Sequence, residues 1–186
     1  MRLLLRLSHA IDRLTGRIGR ATGWLLLAMI VVGALGALLR YLGRPLGLAL
    51  ALNAFGEAQW YLFSAVFLLG AAWTLRDDAH VRVDVLYGRL SPKRQALIDL
   101  AGTLLFLLPF CALMLWATLP AVAESWAVRE GSPDPGGLPR YPIKALVPVA
   151  FVLLGLQGLS QAIKATATLR GEAATPASGP HHAEGV

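Results

Sequence analysis

The 186 residues carry a formal charge of +6 and an isoelectric point near 10.1, yet only 15% are charged and 56% are hydrophobic. Soluble domains carry about 25% charged residues, so that class is excluded, and membrane topology accounts for the basic excess better than nucleic acid does. The single cysteine, Cys111, excludes an intramolecular disulfide and CxxC redox chemistry.

The first twenty residues, MRLLLRLSHAIDRLTGRIGR, repeat Leu or Ile at positions 3, 4, 7, 11, 14 and 18 with Arg between them. That spacing predicts a basic amphipathic helix over residues 1–20, lying in the membrane interface and leading into a first span. Four stretches then lack Asp, Glu, Lys and Arg: residues 21–39, 58–75, 100–123 and 145–163. Crossing about 30 Å of hydrocarbon takes roughly 20 apolar residues. The chain is therefore read as an all-α integral membrane protein whose membrane domain covers residues 21–166. Its four transmembrane helices are placed at about 21–41, 57–75, 95–119 and 143–164. The first apolar run exceeds the core of a cleaved signal peptide, so it is read as a retained helix.

GRPLGLALALNAFGEAQ, residues 43–59, is read as an outer-face amphipathic turn too short and interrupted to cross again. Between the second and third spans lies TLRDDAHVRVD, residues 74–84, a dense polar knot in a greasy chain. The alternation from His80 to Val85 has the period of a strand, but a lone strand would leave its edges unpaired. A compact interfacial loop or short helix fits better, and Ser91-Pro92 restarts the helix as N-cap and first helical residue. SPDPGGLPRYP, residues 132–142, reads as a rigid loop of turn residues. Residues 167–186 end in a small, polar tail expected to be disordered.

Charge sets the expected orientation. Twelve Lys and Arg fall on the side holding both termini and the knot, among them Arg2, Arg6, Arg13, Arg17 and Arg20. Arg40, Arg44, Arg129, Arg140 and Lys144 fall on the other. The positive-inside rule puts both termini in the cytoplasm. Trp24, Tyr41, Trp60, Trp73 and Tyr141 fall near span ends, where amphipathic rings favour the headgroup level.

Polar residues within the spans are few. No histidine falls inside a span, which argues against a four-helix haem protein, and no catalytic or metal-ligand cluster can be placed, so an enzyme is not expected. Asp99 is the deepest acid; it is either a headgroup-level structural acid bonded to Gln95 or an intramembrane functional group. Glu57 and Gln59 carry the same ambiguity. Gln157, Ser160 and Gln161 make a polar patch on the fourth span, beside a small-xxx-small pair of Gly158 and Ala162; both features join helices. Pro109 is expected to kink the third span by freeing the Leu105 carbonyl. The middles of spans one, two and four lack ionisable groups, as in scaffold rather than pathway.

The chain resembles the DctQ-like small membrane subunit of tripartite ATP-independent periplasmic (TRAP) transporters over roughly residues 15–165. The resemblance rests on residues 56–110, on residues 125–163, and above all on the HVRVD run, where His80, Arg82 and Asp84 match. It implies a non-catalytic subunit of the bacterial inner membrane. Its partners would be a large permease, a periplasmic solute-binding protein and membrane lipid. This chain itself would hold no cofactor, and the permease would use an ion gradient, usually sodium, to take up an organic acid. His80, Arg82, Asp84, Asp99, Gln157 and Gln161 are the candidate partner-interface residues. A free-standing, self-associating four-helix carrier or channel, with Asp99 as its ion site, is the competing reading.

Overall fold

The computed structural model describes residues 1–43, 53–79 and 87–172. The regular elements among them are helical, and four are long and apolar enough to cross a membrane: α1 (Arg2–Gly43), α2 (Asn53–Arg76), α3 (Pro92–Ala127) and α4 (Tyr141–Leu169). The first is one unbroken helix of 42 residues, about 63 Å at 1.5 Å per residue and twice the hydrocarbon thickness. The basic N-terminal stretch is therefore an arm continuous with the first span.

Local chemistry explains where the helices begin and end. Ser91 holds the extended N-cap conformation before Pro92, although its side chain makes no capping bond. Three helices stop in the same way. The amides of Asp78 and Ala79 bond back to Leu75 and Thr74, those of Arg129 and Glu130 to Trp126 and Ser125, and those of Gly171 and Glu172 to Thr168 and Ala167. Each is a Schellman motif, which needs a left-handed residue at its turn. Asp78 (φ 55°), Arg129 (φ 47°) and Gly171 (φ 71°) supply it. The described part of the polar knot, residues 74–79, is thus the last turn of α2 and its sharp stop.

Pro109 does not break α3. The turn before it, Thr103–Leu107, widens to a π-helix in which the Leu108 amide reaches Thr103 O. An inserted residue of this kind relieves the clash between a proline ring and the preceding turn, so the helix continues through Pro109 by way of a π-bulge.

The helices pack around α4, which touches the other three. Contacts running from Gly16 with Arg76 to Gly36 with Phe55 lay α1 antiparallel to α2. Those from Gly158 with Leu107 and Thr103 to Trp126 with Tyr141 lay α3 antiparallel to α4. The α3 helix has no comparable contact with α1 or α2. We call the end holding Ser8, Arg76 and Lys164 the near end, and the end holding Glu57 and Tyr141 the far end.

Inside, the residues are small: Ala65, Ala72, Ala150, Ala162 and Ala167 are buried, whereas Trp24, Phe106 and Trp116 are about three-quarters exposed. This is the distribution expected where lipid is the solvent and close backbone approach joins helices. Gly19 shows how close: a Cβ there would lie 2.3 Å from the Trp73 ring. Gly19→Ala should therefore cost about 1–3 kcal/mol by overpacking. Gly23→Ala, which meets nothing within 4 Å, should gain about 0.5–1 kcal/mol from reduced chain entropy. Thermal unfolding of both variants in detergent measures the difference, and equal melting points would refute the tight α1–α2 contact.

Candidate functional site

At the near end, three side chains at i, i+4 and i+7 on α1 meet three on α4. Ser8, Thr15, Gln157 and Ser160 are almost completely buried. Their bonds converge on one carboxylate. Ser8 and Ser160 hydroxyls lie 2.7 Å apart, and Ser160 Oγ donates to Asp12 Oδ1 at 2.8 Å. Gln157 Nε2 donates to the same oxygen at 3.0 Å, and its carbonyl accepts from Thr15 Oγ1 at 2.8 Å. Lys164 Nζ reaches the other oxygen, Oδ2, at 2.5 Å. One proton assignment satisfies the cluster: Ser8 donates to Ser160, Ser160 to Asp12, and Thr15 to Gln157. Asp12 is thus the final acceptor of a polar clasp between α1 and α4. The neighbouring Gln161 donates to Leu75 O at 2.6 Å, a carbonyl at the end of α2 that also accepts the Asp78 amide.

Deep in the same end, Tyr87 Oη donates to Asp99 Oδ2 at 2.6 Å and Gln95 Nε2 donates to Tyr87 O at 3.0 Å. Asp99 is therefore bonded to Tyr87 rather than to Gln95, which binds the same tyrosine through its backbone. Gly158 meets Leu107 and Thr103 on α3 and Ala162 is buried, so the small pair admits the α3 backbone closely.

The far end is closed by the loop between α3 and α4. Glu57, buried at the start of α2, accepts from Ser132 Oγ and from the Leu138 amide. Tyr61 Oη donates to Pro139 O at 3.1 Å, and Asn53 Nδ2 to Pro135 O at 3.1 Å. Glu130 accepts from Ser125 Oγ at 2.6 Å and from Lys144 Nζ. Lys144, then Ser125, hold its carboxyl below the ordinary glutamate value. Gly137 is required here, since a Cβ would lie 2.4 Å from Ser132. Gln59 instead packs on Gly33 of α1.

Of the expected interface residues, His80, Arg82 and Asp84 lie outside the described residues. Gln157 and Gln161 hold α4 to α1 and α2, the within-chain use of the polar patch. Ser8, Asp12, Thr15 and Lys164 were not singled out from the sequence. Their signal was a small and polar stripe with helical spacing, hidden beside a more obvious leucine stripe. Among the described residues no three His, Cys, Asp or Glu form a metal-holding group. The arrangement joins helices.

Residues 29–168, most of the chain, match the family of tripartite ATP-independent periplasmic transporters, DctQ component. The chain belongs to that family. Comparisons with curated proteins and with solved structures returned no match. The DctQ match covers α2, α3 and α4 and the outer part of α1, so Gln157, Ser160 and Lys164 fall within it while Ser8, Asp12 and Thr15 precede it.

The Asp12 side chain is 14% exposed and that of Lys164 39%. Solvated pairs contribute about 0–1 kcal/mol and breaking buried ones costs about 3–5. This half-buried pair should lie between, near 1–2 kcal/mol. A double-mutant cycle with Asp12→Asn and Lys164→Met, read by unfolding in detergent, measures it. A coupling below about 0.3 kcal/mol would reduce the clasp to its neutral hydrogen bonds.

Proposed function

We propose that this DctQ-family chain is the small membrane subunit of a TRAP-type secondary transporter in the bacterial inner membrane. It braces a large permease that takes up an organic acid handed over by a periplasmic solute-binding protein. An ion gradient rather than ATP would be the drive, in keeping with the family's ATP-independent description; sodium is the expected ion, used by the permease and not by this chain. Family membership carries this reading. The geometry supports it, because the polar side chains at both ends join elements of the same chain and Asp99, the ion site of a free-standing carrier, is engaged by Tyr87.

The near end is assigned to the cytoplasm, on the strength of the positive-inside rule. A reporter fused after Arg170 should then read as cytoplasmic and one inserted at Gly136 as periplasmic; exchanged signals would reverse the orientation.

The knot is the proposed contact with the permease. Arg82 and Asp84 stand two residues apart, so in an extended segment both point to one side, with His80 beside them. Truncating one member of a desolvated charge pair costs several kcal/mol, against about 0–1 for a solvated pair. Co-expression with the tagged permease should therefore recover much less of this subunit for Arg82→Ala or Asp84→Ala than for the control Arg170→Ala, at equal membrane insertion. Equal recovery would leave the knot as a topological anchor, and failure of the unaltered chain to hold any permease would overturn the subunit assignment.

A further inference from the structure

The arm of α1 carries more charge than joining helices requires. At about 100° per residue, residues 2–20 divide into three stripes. Ser8, Ile11, Thr15 and Gly19 are buried in the fold. Leu3, Leu7 and Leu14 are 78%, 52% and 45% exposed on a second side. Arg2, Arg6, Arg13, Arg17 and Arg20 share the third, within an arc of about 60°, and all five are exposed. The one acid of the arm, Asp12, is turned away to Lys164, and none of the five arginines forms an ion pair with a described residue.

The direction of the arm matters as much as its charge. Between Ser8 and Thr15 it advances seven residues, about 10 Å, while the partners Ser160 and Gln157 are three residues, about 4.5 Å, apart on α4. The arm therefore crosses α4 obliquely. A soluble polyanion would match the guanidinium row but leave the leucine row in water. A leaflet of anionic phospholipid takes both at once, phosphates on one stripe and acyl chains on the other.

We propose that the arm is a binding site for anionic phospholipid in the leaflet at the near end. Arg2, Arg6, Arg13, Arg17 and Arg20 hold the headgroup phosphates, while Leu3, Leu7 and Leu14 enter the hydrocarbon. The clasp at Asp12 fixes the arm to α4, so that both rows face the lipid together. This site does not depend on which transporter the chain serves.

The test uses the purified full chain in micelles, titrated with phosphatidylglycerol or phosphatidylcholine, with bound lipid counted by native mass spectrometry. The unaltered chain should prefer phosphatidylglycerol. The triple variant Arg6→Gln, Arg13→Gln, Arg17→Gln should bind it roughly 100-fold more weakly at low salt, at about fivefold per arginine. The charge-keeping triple Arg6→Lys, Arg13→Lys, Arg17→Lys should retain the preference, which separates loss of charge from loss of fold. Neutralising Arg89, Lys93 and Arg94 to Gln removes the same charge from elsewhere at this end and should change binding by less than about threefold. The proposal is overturned if the unaltered chain shows no preference, if the glutamine triple keeps it, or if both neutral triples lose it equally. Displacement of the lipid by millimolar inorganic phosphate would likewise overturn it, as a site for free anions.

Discussion

In a bilayer a leucine gains nothing by leaving lipid for another helix, so helices associate through close approach and through polar groups that find each other. This chain obeys that constraint throughout. Gly16 and Gly19 admit Arg76 and Trp73, Gly158 admits Leu107, and the largest fully buried side chains among the described residues are Ser8, Thr15, Gln157 and Ser160. Most large apolar residues of α1 and α3 face outward instead, Ile11 being an exception.

The α4 helix is the pivot of that scheme. Its near-end side chains reach α1 through Asp12 and α2 through Leu75 O, its glycine at 158 receives the π-bulge of α3, and Lys144 at its start engages Glu130 in the preceding loop. Because α3 rests on α4 without comparable support from α1 or α2, the bundle is open rather than closed. An open bundle braced at both ends leaves broad apolar faces for lipid or for another membrane chain. Polar groups at its ends are engaged in holding helices together, which suits a brace better than a conduit.

Much of this was legible beforehand. Charge-free stretches of 18 residues or more can be read without knowing any contact, because the hydrocarbon thickness alone sets their length. Ser91-Pro92 announced the start of α3, and Gly158 with Ala162 announced a close helix contact. The arm was harder. Its leucines repeat at helical spacing and invite burial, but they are the exposed side, and the weaker stripe of Ser8, Asp12 and Thr15 is the one that packs. Likewise Asp99 could be assigned a near partner at Gln95 by spacing, but Tyr87 reaches it across a turn of the connecting segment.

The sequence by itself determined the class of the protein, the four apolar helices and the family resemblance, since these follow from composition, run length and local motifs. Only the tertiary structure decided that α1 is one continuous helix, that Pro109 is absorbed by a π-turn, and that Asp12 closes on Lys164. The last of these rests on pairings between residues up to 152 positions apart. No local propensity specifies them: a serine, an aspartate and a glutamine acquire partners only when two helices are brought to the same depth and turned to the same angle.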